Sequence, residues 1–278
     1  MKKFIAAIDG LRFSESTALY ATRLASQSRA HLTGVFLDDF TRHTYKIYEL
    51  VSDTASIEEK KELLEEQDLK LRQQSAQKFQ DYCTESDVEF NLHRDRSFAI
   101  QEILHESIYA DLLFIEGNET FMAYQENQPT RFMRTLLANA ECPVFITPFQ
   151  YEPIRKVVLL YDGEPSSVHA VRMFSYLLPS LKSLEIEVVS VQTVEEQLTL
   201  PDKRLMTEFM ERHFPTASYT VLRGLPENAI LDHLKIVPPG TLVVLGAYRR
   251  GMVSRWFRPS MADFLMEKVN LPLFIAHN

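Results

Sequence analysis

Short runs of consecutive apolar residues alternate with longer segments of helical spacing along the whole chain. FIAAI (4–8), LLFI (112–115), PVFI (143–146), VVLL (157–160), VVL (243–245) and PLFI (272–275) have no polar residue to turn toward water. A half-exposed strand would alternate, so runs that are apolar throughout predict strands covered on both faces, as in a parallel sheet sandwiched by helices. The pattern places strands near 3–8, 32–38, 88–94, 111–116 and 143–147, with helices at 14–28, 57–84, 98–108 and 128–140. It then repeats: strands at 156–161, 184–192, 218–223, 241–246 and 272–276, helices at 166–179, 202–213, 226–236 and 259–269.

Punctuation between these elements marks a duplication. Asp-Gly follows the first strand of each half, at Asp9-Gly10 and Asp162-Gly163. The fourth strand of each half ends in a glycine, Gly117 and Gly246, and a proline opens the fifth 26 residues later, Pro143 and Pro272. From Asp-Gly to that glycine the first half spends 108 residues and the second 84, so the first carries about 24 extra residues. They fall in 39–66, with Tyr45, Tyr48 and the charged run IEEKKELLEEQDLK. The simplest reading of this insertion is a solvated extension of a helix. The expected fold is α/β, two tandem doubly wound five-stranded parallel-sheet domains: 1–148 with the insertion, a linker 149–153 bounded by prolines, and 154–278.

Composition adds exclusions. The 278 residues are 45% apolar and 24% charged, ordinary for a globular chain. No apolar run approaches the roughly 20 residues that cross a bilayer, so no membrane partner is expected. The run after Lys2 and Lys3 meets Asp9 too soon for a secretory leader. Two cysteines without metal or redox spacing, Cys83 and Cys142, fit a reducing, cytoplasmic setting. A net charge of −8 speaks against nucleic acid. The excess acid is confined to one half: residues 1–150 hold 16 basic and 24 acidic side chains, residues 151–278 hold 14 of each.

In a doubly wound sheet a ligand sits beyond the carboxyl ends of the strands, where strand order reverses. This singles out Asp9 and Asp162, and Gly117 and Gly246. A carboxylate there can accept a hydrogen bond from a nucleoside, and a glycine lets backbone N–H groups approach phosphate beside a helix N-terminus. Asp-Gly after a strand is also a good turn, a reading that suits Asp9 best and stands level with the ligand reading for Asp162.

Two copies of strand–Asp-Gly–helix, each closing with strand–Gly–loop–helix–Pro–strand, resemble a tandem universal stress protein; RGLPENAIL (223–231) and CPVFI (142–146) resemble further segments of that family. The resemblance implies an adenine-nucleotide-hydrolase-like, Rossmann-like fold and a stress-response role. It implies adenine nucleotide binding, with ATP and Mg²⁺ as the cofactor pair, only where the family's G-x2-G-x9-G-[ST] loop survives. In the second copy Gly246 and Ser260 match, while Arg249 and Pro259 replace glycines. In the first only Gly117 matches, with Thr120, Thr130 and Arg131 at the other positions. The family's domains pair through the last strand, which implies an intramolecular pseudo-dimer placing 143–147 beside 272–276. Homodimerisation of whole chains stays open.

Charge separates the copies. No acidic residue occurs from His233 to Ala262, where Lys235, Arg249, Arg250, Arg255 and Arg258 lie, and guanidinium groups bind phosphate bidentately. The first copy places Glu116, Glu119 and Glu126 in its loop, which would repel a triphosphate. The expectation is a non-catalytic regulatory module with a degenerate nucleotide or anion site in its second domain. That site comprises Asp162, Gly246, Arg249, Arg250 and Ser260, with Asp9, Gly117 and Arg255 as weaker candidates. No residues are singled out as catalytic or metal-binding: no histidine spacing suits a metal, and no nucleophile elbow or P-loop occurs. Two alternatives remain, an interaction scaffold that binds no nucleotide and a slow adenine nucleotide hydrolase.

Overall fold

The computed structural model describes residues 1–37, 57–95, 98–122, 126–192, 199–246 and 261–276. The first compact unit spans Met1–Glu141 and the second Cys142–Asn278.

In the first unit β1 (Lys2–Asp9), β2 (Ala30–Leu37), β3 (Phe90–Asp95) and β4 (Leu112–Glu116) lie in the order β3-β2-β1-β4, each parallel to its neighbour. Residues 4–9 of β1 are all buried, the burial on both faces that its unbroken apolar run predicts. Helix α1 (Glu15–Ser28) starts at Ser14, whose Oγ accepts the Thr17 N–H at 3.2 Å, and ends at Arg29 in the left-handed region, φ 50°. Its buried Thr17, Tyr20, Ala21, Leu24 and Ala25 follow the spacing of one helical face. The long α2 (Ile57–Glu85) is highly charged and buries a narrow stripe: Asp68, Ser75, Ala76, Phe79 and Cys83. Phe79 lies so close to β2 that a β-carbon on Gly34 would stand 2.7 Å from its ring. Helices α3 (Ala99–Ile108) and α4 (Arg131–Asn139) complete the unit.

In the second unit the order is β5-β10-β9-β6-β7-β8, from β5 (Val144–Thr147), β6 (Lys156–Leu160), β7 (Glu185–Gln192), β8 (Ser218–Arg223), β9 (Thr241–Gly246) and β10 (Leu273–Ala276). Its helices are α5 (Pro165–Leu177), α6 (Lys203–His213), α7 (Pro226–Lys235) and α8 (Met261–Lys268), with a 3₁₀ turn at Pro179–Ser183. The expected neighbours 143–147 and 272–276 do pair, antiparallel, with Leu273 opposite Ile146, Phe274 opposite Phe145 and Ile275 opposite Val144. The fifth strand counted from the N-terminus therefore groups with the second unit, and the division falls at 141/142. The linker read from the sequence lies at 149–153. Most of the 39–66 insertion, residues 39–56, lies outside the described residues.

Strand order reverses between β1 and β4 in the first unit, and between β6 and β9 in the second. Both crevices therefore open where the sequence placed them.

Candidate functional site

In the first unit β1 pairs with β4 so that Ala6 stands opposite Phe114. Three residues further on, the same register brings Asp9 level with Gly117. Asp9 is 3% exposed, and its Oδ1 accepts the Leu11 N–H at 2.8 Å, so it builds the turn into which the strand runs. From the other side α2 closes in. Ser75 Oγ donates to the Gly10 carbonyl at 2.8 Å, and a β-carbon on Gly10 would lie 3.1 Å from Arg72 Cγ.

The loop after β4 is turned inward. Glu119, 3% exposed, accepts on Oε1 from the N–H groups of Thr120 and Phe121, both at 2.9 Å, and from Arg12 Nη2 at 3.0 Å. Thr120 Oγ1 accepts the Met122 N–H at 3.1 Å. Thr130, at the position of the family's third glycine, donates its hydroxyl to the Glu119 carbonyl at 2.7 Å. The same oxygen accepts the Met133 N–H at 3.1 Å and caps α4. Glu126 Oε2 accepts the Arg131 N–H at 2.8 Å, a carboxylate at a helix N-terminus. Burial and the neighbouring Asp9 charge push the Glu119 carboxyl above its ordinary range; Arg12 and the two N–H donors pull it back only in part. Two of the three glutamates that the sequence presented as repelling a phosphate, Glu119 and Glu126, instead accept backbone N–H groups themselves.

The second unit differs by one step of register. Leu159 stands opposite Val244 in β9, so Gly246 is level with Tyr161 and not with Asp162. Tyr161, just past the end of β6, is buried, as Asp9 is, and Asp162 is exposed. Asp162 Oδ1 accepts the Glu164 N–H at 3.0 Å, the same turn geometry as Asp9. Tyr161 Oη donates to the Pro201 carbonyl at 3.1 Å, and its hydroxyl is pushed upward in pKa by burial and by Asp202 and Asp162. Pro201 also covers the turn: at Gly163, φ 81°, a β-carbon would stand 2.7 Å from Pro201 Cβ.

Gly246 has a packing role that its motif position did not reveal. A β-carbon there would lie 2.4 Å from the carbonyl carbon and oxygen of Ser166 and 2.6 Å from the Ser167 nitrogen. The glycine lets β9 abut the first turn of α5. Arg249, Arg250, Arg255 and Ser260 lie outside the described residues. The structure thus brings together Asp9, Gly117, Arg12 and Glu119 in one unit, and Tyr161, Asp162, Gly163, Pro201 and Gly246 in the other. Arg12, Tyr161 and Pro201 were not singled out from sequence; Arg12, three residues beyond Asp9, carried the only local hint, a basic side chain just after a predicted strand end. Among the described residues no group of three or more His, Cys, Asp or Glu side chains is placed to hold a metal ion. No described helix is long and apolar enough to cross a membrane.

No family model and no curated protein sequence matches the chain. Solved structures do. A universal stress protein from Archaeoglobus fulgidus DSM 4304 is similar over 99% of this chain and 98% of its own, with TM-score 0.69 and 14% identity. A protein described as a universal stress protein, from Pseudomonas aeruginosa UCBPP-PA14, is similar over 100% and 93%, with TM-score 0.57 and 15% identity. The cytoplasmic domain of a prokaryotic cation chloride cotransporter is similar over 99% and 94%, with TM-score 0.52 and 10% identity. The likeness is one of fold: the chain has the architecture of full-length, tandem universal stress proteins.

Proposed function

We propose, from that architecture, that the chain is a tandem universal stress protein: a non-catalytic, cytoplasmic regulatory module that binds an adenine nucleotide or another phosphate-bearing anion through its second unit. One contrast carries the reading. The loop after β4 uses its own carboxylates as anions, whereas the segment from Gly246 to Ala262 has four arginines, Arg249, Arg250, Arg255 and Arg258, and no acidic residue. Gly246 itself lies against the first turn of α5, whose N–H groups and dipole favour a negative ligand. Arg249 and Arg250 then supply the charge that missing glycine N–H groups do not, with Ser260 and Arg255 as further donors.

Thermal shift with ATP and Mg²⁺, AMP and inorganic phosphate tests this. Ligand at about 100 times its Kd stabilises by about 2.7 kcal/mol, several degrees in a domain of this size. The expected shift is small, lost in R249E/R250E and indifferent to Gly117. No shift at millimolar ligand would instead favour an interaction scaffold, the reading that the exposed acids Asp162, Glu164 and Asp202 around the β6 turn support. Release of inorganic phosphate from ATP, abolished in Asp162→Ala, would replace the non-catalytic reading with that of a slow hydrolase.

A further inference from the structure

Unit one contains an anion seat with an occupant. Consecutive N–H groups of Thr120 and Phe121 converge on one oxygen at 2.9 Å each, in a loop where Phe121 holds φ 53°. Turning successive N–H groups to one side of the chain in this way makes the concave nest that proteins use for phosphate. Arg12 Nη2 adds a third donor at 3.0 Å, with a side chain 41% exposed that closes the seat toward solvent. The oxygen it all surrounds is Glu119 Oε1, and the Glu119 side chain is 4% exposed. We propose that Glu119 is an intramolecular ligand: its carboxylate occupies, in cis, a site built for a carboxylate or phosphate oxygen, and holds the first unit's loop permanently in its anion-bound form.

A mere turn does not account for this. Turn carboxylates can stay in water, as Asp162 does while accepting the Glu164 N–H. Glu119 is buried instead beside Asp9, where both desolvation and like charge oppose its ionised form. Three donors on a single oxygen supply the compensation that such a burial requires. The neighbouring anion position, the N-terminus of α4, is likewise filled by Glu126. The seat does not depend on the side chain that fills it. Thr130 clamps the Glu119 backbone carbonyl at 2.7 Å, and Phe121, buried, packs its ring 4.8 Å from that of Phe132. Removing the carboxylate would therefore leave the Thr120 and Phe121 N–H groups and Arg12 facing the space that it filled.

Chemical rescue tests the assignment, in the full chain carrying R249E/R250E so that anions at the second unit do not contribute. The inference is independent of whether that second unit binds a nucleotide. Glu119→Ala is expected to melt below its parent and to recover saturably with sodium acetate, formate or phosphate at constant ionic strength. The parent shows no such recovery, and Arg12→Ala with Glu119→Ala shows little. The ranking of the three anions tells whether the seat favours carboxylate or phosphate oxygen. A Glu119→Ala protein that responds to these anions no more than to chloride overturns the proposal. Should that variant fail to fold in any of them, Arg12→Ala decides. It removes an exposed side chain, and a carboxyl NMR titration should find Glu119 higher than in the parent, since burial and Asp9 are then opposed by the two N–H groups alone. An unchanged Glu119 titration would overturn the assignment as well.

Discussion

Gly246 and Ser166 are in contact through their backbones, at a distance that leaves no room for a β-carbon: one built at 246 would lie 2.4 Å from the Ser166 carbonyl. The neighbour is main chain at the start of α5 and cannot rotate away. Gly246→Ala should destabilise the second unit by about 1–3 kcal/mol, the usual cost of overpacking, read as a lower Tm without any ligand. A loss of nucleotide response in this variant would therefore report on packing. Arg249 and Arg250 are the positions at which to test binding.

Tyr82 donates its hydroxyl to Glu15 at 2.6 Å, joining α2 to the first turn of α1. Burial, then the hydrogen bond and charge of Glu15, push the phenol up to about 12 from its ordinary 10.0. Glu15→Gln removes the charge and should bring this tyrosine down toward the others in an ultraviolet titration of tyrosinate. If Tyr82 titrates with the remaining tyrosines in the unmodified protein, the α1–α2 contact is wrong.

Glu187 in β7 accepts from Thr220 Oγ1 at 2.6 Å and lies 2.9 Å from Lys156 Nζ and 3.3 Å from His233 Nε2. Burial alone would raise its pKa, but these hydrogen bonds and charges outweigh it and hold the carboxyl below its ordinary range. A depressed folded value means stability that is present above the unfolded pKa and disappears as pH falls through the folded one. Glu187→Gln should cost about 1.5–3 kcal/mol at neutral pH, in the range of hydrogen bonds to charged groups. Its stability should also fall less than the parent's on acidification. Denaturant midpoints at pH 7 and at pH 4 check both.

Cys83 is fully buried in the α2 stripe, and burial raises its thiol pKa to about 12. Cys142 is buried too. Neither should react with a thiol reagent in the native protein on the timescale of mixing, and both should react once denaturant unfolds the chain. Fast labelling of Cys83 under native conditions would show that α2 opens locally.

Much of this fold was readable without coordinates because its signals are local. Residues 4–8 and 157–160 are apolar without interruption, and only a strand covered on both faces tolerates that. Gly117 and Gly246 end strands at matching distances from Pro143 and Pro272, and β4, β5, β9 and β10 fall where those marks placed them. The pairing of 143–147 with 272–276 came from family resemblance and is present in the register of Phe145 and Phe274.

The site was less legible, for a physical reason. Asp9 and Asp162 look equivalent as letters because each precedes a glycine, yet the sheet sets Tyr161 level with Gly246, and Asp9 is buried where Asp162 is exposed. The charge count gave Glu119 as a repulsive residue. Whether a carboxylate repels an anion or replaces one depends on which donors face it, and Arg12 reaches it from 107 positions away.

Composition and periodicity by themselves determined the duplicated α/β plan and the contrast between an acidic first half and a basic loop in the second. Each of these depends on neighbouring residues or on totals. Tertiary structure alone decided that Glu119 fills the first crevice, that Pro201 covers the turn after β6, and that Gly246 is a contact with α5. Those outcomes are set by distances between segments far apart in the chain, where a shift of one residue or a few tenths of an ångström changes which atom meets which.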